Sequence, residues 1–378
     1  MTDRLVYATL IESIFGLEAV SFDTSKTHSN NVIGAIASTN GFSEFKANFT
    51  ARLHRLNVAI ETNSRLRATI INIVNQIADP SNWDGAYAEL SALDYFLSHQ
   101  DTSAASITLD VTVSATETLG AEMGMTNANH DLRLPAYGVS MDTKLLSDKI
   151  VSILVGIFKD VLKSKGIAHL LIVPSYPPDQ EYALYQNNRA ALLNELITAT
   201  DVETRPTKFT STIIPELSYQ FAWEAGVYMS EKTYDPNTHA KNHHRLLFSH
   251  AKKFSKVEPS VIVFVHFPWS GEKLYMDSLR KTFFREVGNL FFDSYLGKPD
   301  LAASILQSFK TTISAADVTK HLSGIVYLED QAVTAKDPNQ VNVDASYIWN
   351  SNAVYPLANL EFDRYLQSRG ALNLSPNL

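Results

Sequence analysis

The chain has 378 residues, enough for one large domain or two modest ones, and its 45% apolar content excludes a disordered tail and a fibrous repeat. It contains no cysteine, which excludes disulfides, zinc–thiolate sites, iron–sulfur clusters and cysteine nucleophiles. The net charge of −8 argues against a histone-like or coating protein, although it allows contact with DNA through one local basic surface.

The N-terminus shows no signal-peptide pattern, and the longest apolar runs, such as residues 150–158, reach about half the length of a bilayer span. The absence of cysteine is also easier to reconcile with an intracellular protein. We therefore expect a cytoplasmic protein that has no membrane partner.

Residues 1–80 are predicted to be mainly helical, because apolar residues recur at three- and four-residue spacing from Leu53 to Ile77. That spacing suits one amphipathic helix or a pair of helices. Residues 24–41 are rich in Ser, Thr and Asn, and they are predicted to form a connection.

A further helix is predicted after the turn at Pro80, with Asp84 as its N-cap. Its apolar stripe consists of Ala86, Leu90, Leu93 and Leu97. Glu89 falls on this stripe. A carboxylate at such a position either extends its charge back to solvent or points at a group that requires a negative charge. A metal site at the neighbouring sheet is such a group, and a solvated helix-surface carboxylate is the alternative.

Three strands are predicted next, over residues 107–113, 130–134 and 139–146, with a turn at 135–138 between the last two. The two-residue period places Asp142 and Lys144 side by side on one face of the third strand. The short turn brings Asp131 of the second strand close to Asp142.

Two neighbouring carboxylates repel each other unless a cation lies between them, and a hard divalent ion, Mg²⁺ above all, fits such a pair. A lysine beside the same pair can position a water molecule and offset developing negative charge. A solvated ion pair on an edge strand is the alternative. A second acid-x-Lys triplet, Glu44-Phe45-Lys46, lies in a segment without a strand pattern, and we assign no chemistry to it.

The rest of the chain mixes helices with short strands, which indicates an α/β or α+β class. Helices are predicted over residues 147–165, 181–199, about 236–257 and near 274–296, with one further helix after that. Strands are predicted at 167–173, within 208–214, within 219–228, at 261–267 and near 324–328. The C-terminus is predicted to be irregular.

The predicted helix from Pro236 is locally basic. Its charged face carries Lys241, Arg245, Lys252 and Lys256, opposite Leu247, Ala251 and Phe254. In an acidic protein this face is the best candidate for contact with a phosphate backbone. His239 and His243 of the same helix have the spacing of a metal pair, but no Glu stands in the zinc-protease position between them.

The order of these features resembles the PD-(D/E)xK nuclease superfamily, also called restriction-endonuclease-like. Asp131 matches the aspartate of the family motif, and Asp142 with Lys144, after ten intervening residues, matches its (D/E)xK element. Glu89 matches the glutamate of the family's N-terminal helix. His130 stands where the motif proline usually is, and Asp142 replaces the commoner glutamate.

The resemblance implies a restriction-endonuclease-like core, a central mixed sheet flanked by helices. It covers about 100 residues in two blocks. Two segments could complete the core: the helix at 147–165 with the strand at 167–173, or the helix at 239–257 with the strand at 261–267, and the second is favoured. Lys253 then matches a Gln or Lys that precedes an aromatic residue beside the family's active site. The predicted organisation is a helical region (1–80), the core (81–270) with an insertion at 147–235, and a C-terminal extension (271–378).

The resemblance also implies a Mg²⁺-dependent DNA endonuclease, with Mn²⁺ as an alternative metal. Its metal ligands would be Asp131, Asp142, Glu89 and the Thr143 carbonyl, while Lys144 positions the attacking water and Lys253 joins the DNA-binding set. Products with a 5′-phosphate and a 3′-hydroxyl, and a setting in restriction, repair or anti-phage defence, follow from the family.

DNA is favoured over RNA as the substrate, and pairing of two sites in a homodimer is consistent with restriction-type enzymes. The alternative function is a catalytically inactive nuclease fold that serves as a nucleic-acid-binding or assembly module.

Overall fold

The computed structural model describes residues 2–27, 29–98, 107–146, 149–167, 169–177, 182–223, 235–267, 277–303 and 313–375. The chain divides into two compact units: unit 1 consists of Met1–Leu146, Leu247–Ser270 and Gly288–Leu378, and unit 2 of Ser147–Leu246 and Gly271–Val287. The division predicted at residue 80 lies inside unit 1, whereas the chain passes from unit 1 to unit 2 after Ser270, at the other predicted division. Residues 288–378 of the predicted C-terminal extension belong to unit 1. The predicted insertion at 147–235 lies inside unit 2.

The described residues form ten strands and twelve α-helices. The strands are β1 (Thr108–Ser114), β2 (Asn127–Leu134), β3 (Val139–Leu145), β4 (Leu171–Ser175), β5 (Lys208–Thr210), β6 (Ser218–Ala222), β7 (Ser260–His266), β8 (Gly324–Asp330), β9 (Val343–Trp349) and β10 (Leu372–Asn373). The helices are α1 (Asp3–Phe15), α2 (Asn31–Ala37), α3 (Ser43–Thr62), α4 (Arg67–Gln76), α5 (Trp83–Leu97), α6 (Lys149–Lys165), α7 (Tyr182–Asn187), α8 (Arg189–Ala199), α9 (Pro236–Leu246), α10 (Asp277–Asp293), α11 (Ala315–Lys320) and α12 (Glu361–Ser368).

A seven-stranded sheet forms the centre of unit 1, in the order β1-β2-β3-β7-β8-β9-β10. The neighbours β3–β7, β7–β8 and β9–β10 are parallel, and the other pairs are antiparallel. The strand predicted at 261–267 therefore pairs directly with the strand that carries Asp142. The predicted α/β class, with a mixed sheet flanked by helices, is confirmed.

Helix α5 lies against one face of this sheet, where it contacts β3 and β7, and α1 to α4 pack with it in the same hydrophobic core. Phe45, Phe49 and Leu90 share one continuous core with Val263 and Val265 of β7. Near the end of α10, Gly288 packs closely against the Ile348 side chain of β9. Strand β3, which carries Asp142 and Lys144, is an interior strand, because it pairs with β2 on one side and with β7 on the other.

Unit 2 has a smaller sheet of its own. Its three antiparallel strands lie in the order β4-β6-β5. Their inner face packs with α6 and α8 around buried residues such as Leu154, Leu192 and Tyr219. This apolar cluster gives unit 2 a separate hydrophobic core.

Two segments near the ends of the chain are more regular than predicted, and one predicted helix cap is displaced. Residues 24–41 contain α2, because the Asn30 side chain caps it by accepting from the amides of Val32 and Ile33. The C-terminus is not irregular, since it contains β9, α12 and β10. Helix α5 begins at Trp83, so Asp84 lies in its first turn and is not its N-cap. The four apolar residues of its predicted stripe are all buried.

The prediction of one long basic helix from Pro236 to about residue 257 is wrong. Helix α9 ends at Leu246, and Leu247–Lys253 form a 3₁₀ segment. The physical reason is the apolar spacing of Phe248, Ala251 and Phe254, which are buried at three-residue intervals. A 3₁₀ helix has three residues per turn and places such residues in one line, whereas in an α-helix each successive one is displaced by about 60° around the axis.

No helix within the described ranges combines the length and the apolar character needed to cross a membrane.

Candidate active site

The site lies where the pairing between β2 and β3 ends. The ladder runs from Leu134↔Val139 to Leu132↔Met141, and the next position in this register sets Asp131 against Asp142. There the Thr143 amide donates to Asp131 Oδ2 at 2.8 Å. A side chain thus accepts the hydrogen bond at the point where the strands separate, and the separation leaves room for two carboxylates.

Two lysine ammonium groups neutralise this pair of carboxylates. Lys144 Nζ lies 2.9 Å from Asp142 Oδ2 and 3.7 Å from Asp131 Oδ2. Lys253 Nζ lies 2.8 Å from Asp131 Oδ1 and also donates to Asp142 Oδ1. The structure therefore brings together Asp131, Asp142 and Lys144, as the strand period predicts, and it adds Lys253 to them.

Burial and neighbouring charges shift the pKa values of Asp131 and Lys253. Burial raises the pKa of Asp131, and the negative charge of Asp142 raises it further. For Lys253, burial lowers the pKa, but the charges of Asp142 and Asp131 more than offset this and raise it above its ordinary value. Asp142 is 4% exposed, so its negative charge depends on the two lysines for compensation.

The backbone at Lys253 is held by a hydrogen-bond contact to its carbonyl and by the burial of the next residue. His130 Nε2 lies 3.0 Å from the Lys253 carbonyl oxygen, and Phe254 is buried next to it. His130 itself is buried, and burial lowers its pKa, so it favours the neutral form. His130 therefore holds the end of the 3₁₀ segment, and the Lys253 side chain extends from a defined position.

Glu89 of α5 approaches Asp131 from the helical layer. Both side chains line a cavity of about 10 Å³, room for about one water molecule, together with Thr143 and Asp110. Burial raises the pKa of Glu89 to about 7, and the negative charge of Asp131 adds to the effect. The predicted inward orientation of Glu89 agrees with this placement.

Asp110 is the acidic residue that sequence reasoning missed. In β1 the pairs Leu109↔Leu132 and Val111↔His130 flank it, so Asp110 lies opposite Asp131. Its φ of 50° is left-handed, a conformation that Asp tolerates better than most residues. An Asp in the middle of an otherwise β-branched, alternating strand was the available signal, because Asp is depleted in strands.

The predicted nucleic-acid-binding lysines and arginine do not share one helical face. Lys241 and Arg245 are exposed on α9 of unit 2, whereas the other three belong to unit 1, in or after the 3₁₀ segment. Lys253 contacts the carboxylates, and Lys256 Nζ pairs with Glu122 at 2.8 Å. The α-helical spacing on which the single face depended ends at Leu246.

Among the residues that the structure describes, no group of three or more His, Cys, Asp or Glu side chains is arranged to hold a metal ion. His239 and His243, whose spacing is that of a metal pair, belong to no such group either. Asp131 and Asp142 nevertheless each direct one oxygen at a single cation, the Lys253 ammonium. Carboxylate and carbonyl oxygens suit Mg²⁺, so these two residues fit a hard divalent ion.

No protein-family model matches the chain, and neither curated proteins nor solved structures provide a match to it.

Proposed function

We propose that this protein is a Mg²⁺-dependent nuclease that hydrolyses phosphodiester bonds in DNA, on a restriction-endonuclease-like core. The observation that carries the proposal is the convergence of Asp131, Asp142 and Lys144 at the separated ends of two strands. A pair of carboxylates beside a lysine is suited to phosphoryl chemistry, where charge must be neutralised during an in-line displacement.

The residues of the site have separate tasks in this reaction. Asp131 and Asp142, with the Thr143 carbonyl, would hold the metal, and Glu89 would complete the shell directly or through water. When bound, the metal polarises the scissile phosphate and lowers the pKa of water. Lys144, which is 26% exposed at its side chain, can reach solvent while it stays beside Asp142. It positions the attacking water and offsets charge on the pentacovalent phosphorus.

A second candidate function follows from one observation, the contact of Lys253 with both carboxylates. An internal ammonium group already balances the charge that would attract a metal. A metal-free module for nucleic-acid binding or assembly is therefore the alternative. The two functions differ in whether the protein cleaves, and in whether it binds a divalent ion at all.

The test is cleavage of supercoiled plasmid by purified protein with Mg²⁺, with Mn²⁺ and with EDTA, beside a structured RNA as a second substrate. We expect metal-dependent nicking or linearisation of the plasmid. Lys144→Ala and Asp142→Asn should each lower the rate by at least about 100-fold, because each removes a group that acts in the transition state.

The matched control is Lys320→Ala, since Lys320 is an exposed lysine that pairs only weakly with Asp317, at 3.4 Å. It should cleave at the wild-type rate. Cooperative thermal melting must be retained in every variant, so that loss of cleavage reports chemistry. Cleavage that persists in both site variants, or no cleavage with any metal, would contradict the nuclease proposal, and preference for RNA would correct its substrate.

A further inference from the structure

Lys253 and Lys144 neutralise the same two aspartates from different directions. Lys144 belongs to the strand that carries Asp142, and it contacts the Oδ2 atoms. Lys253 enters from the end of the 3₁₀ segment and contacts both Oδ1 atoms. The Lys253 ammonium group therefore lies between the two Oδ1 atoms, where a single cation can interact with both carboxylates.

Two cations cannot share that position. A divalent ion that is bound by both Asp131 and Asp142 through these oxygens must displace the Lys253 ammonium, whereas Lys144 can stay where it is. The His130 contact and the buried Phe254 hold the backbone at Lys253 in place. The ammonium group can therefore leave only by rotation of the Lys253 side chain. A lysine has a flexible four-carbon stem, so its charged end can move while its Cα stays fixed.

We propose that Lys253 is an internal counter-ion that competes with the metal for Asp131 and Asp142. The inference rests on the proposed function, because it concerns the same metal. Metal binding must break the charge-assisted hydrogen bonds from Lys253, and this lowers the metal affinity of the free protein. The displaced ammonium group then requires a new anionic partner, and a substrate phosphate at the edge of the site supplies one. Substrate and metal therefore favour each other's binding.

The test measures Mn²⁺ binding to the whole protein by calorimetry, without nucleic acid. Wild type is compared with Lys253→Met, Lys144→Met and Lys320→Met. We expect Lys253→Met to bind Mn²⁺ at least about 10-fold more tightly than wild type, as expected from the loss of one competing charge-assisted contact. Lys144→Met should gain less, since Lys144 does not occupy the shared position, and Lys320→Met should match wild type.

The outcomes separate this inference from the nuclease proposal. Equal affinity in wild type and Lys253→Met, weaker binding in that variant, or equal gains in Lys253→Met and Lys144→Met would overturn the counter-ion role, while plasmid cleavage could still occur. No Mn²⁺ binding by any of the proteins would overturn both proposals. If Lys253→Met does not fold, Lys253→Gln, which keeps the polar end without the charge, decides the question by the same comparison.

Discussion

Glu89 shows how a single carboxyl group links the site to pH. It lies on α5 with most of its surface buried, next to the carboxylate of Asp131. Burial, followed by the negative charge of Asp131, raises its pKa from 4.5 to about 7. The folded protein therefore binds a proton at Glu89 over a pH range in which the unfolded chain has released it, and folding becomes pH-dependent there.

The sign of that dependence follows from the two pKa values. Below about pH 4.5 Glu89 is protonated in both the folded and the unfolded state, so it does not lower the free energy of unfolding. As the pH rises towards about 7 the unfolded state gains from ionisation and the folded state does not, so stability falls through that window. Glu89→Gln should remove this loss and stabilise the metal-free protein by on the order of 2 kcal/mol at about pH 8.5.

Urea unfolding in EDTA at about pH 4 and about pH 8.5 checks the effect of Glu89→Gln. The variant should match wild type at the lower pH. Glu61→Gln, at an exposed position on α3, is the control and should change stability by less than about 0.5 kcal/mol at either pH. Equal stability of Glu89→Gln and wild type at the higher pH would show that the carboxyl group is not buried as described.

Secondary structure decides which acid-x-lysine triplet can act. Glu44-Phe45-Lys46 lies in the first turn of α3, where residues two apart point in different directions, and its lysine donates to the Ser38 carbonyl. Asp142-Thr143-Lys144 lies in β3, where residues two apart share a face. The same spacing therefore joins acid and lysine only in the strand.

This difference also explains how much the sequence can predict. Strands β1, β3, β7 and β8 are predictable because their residues alternate or are uniformly apolar, and Asp131, Asp142 and Lys144 follow from that period. The resemblance places Lys253 beside the site, but the strand period does not, because the change from α-helix to 3₁₀ segment depends on the core that receives Phe248 and Phe254. Asp110 becomes visible only when the register of β1 against β2 is known.

The pair of strands β8 and β9 depends on a glycine. A Cβ at Gly324 would lie 2.1 Å from Trp349 Cε3 and 2.9 Å from the Ile348 carbonyl oxygen. Trp349 cannot move freely, because its Nε1 donates to the buried Asp363 at 2.9 Å. Gly324→Ala should therefore cost about 1–3 kcal/mol of folding free energy through overpacking.

Chemical unfolding measures the effect of Gly324→Ala, and Gly297→Ala is its matched control. A Cβ at Gly297 meets no atom within 4 Å, and its φ lies outside the left-handed range. The control should unfold within about 0.5 kcal/mol of wild type. A Gly324→Ala variant as stable as the control would mean that Trp349 packs differently against β8.

At the scale of the whole molecule, a buried ion network joins distant parts of unit 1. Arg52 of α3 contacts Asp94 of α5 at 3.2 Å and Asp330 of β8 at 2.7 Å, and Ser91 donates to Asp330 at 2.6 Å. Burial raises the pKa of Asp94, but the hydrogen bond from Arg55 and the charge of Arg52 lower it overall. The network spans the division predicted at residue 80, which explains why that position lies inside unit 1.

Arg52→Met is the sharpest test of this network, because it leaves two carboxylates buried with one of their partners gone. The side chain of Arg52 is 2% exposed, and removing one member of a buried ion network costs about 3–5 kcal/mol. The control is Arg189→Met in unit 2, where the ion pair with Asp160 is as short, 2.7 Å, but both side chains are nearly half exposed. That pair is worth at most about 1 kcal/mol. Urea unfolding should show a large loss of unfolding free energy for Arg52→Met and almost none for Arg189→Met. Similar small losses in both variants would mean that water or a rearranged partner compensates the charges of Asp94 and Asp330. Packing alone would then unite unit 1.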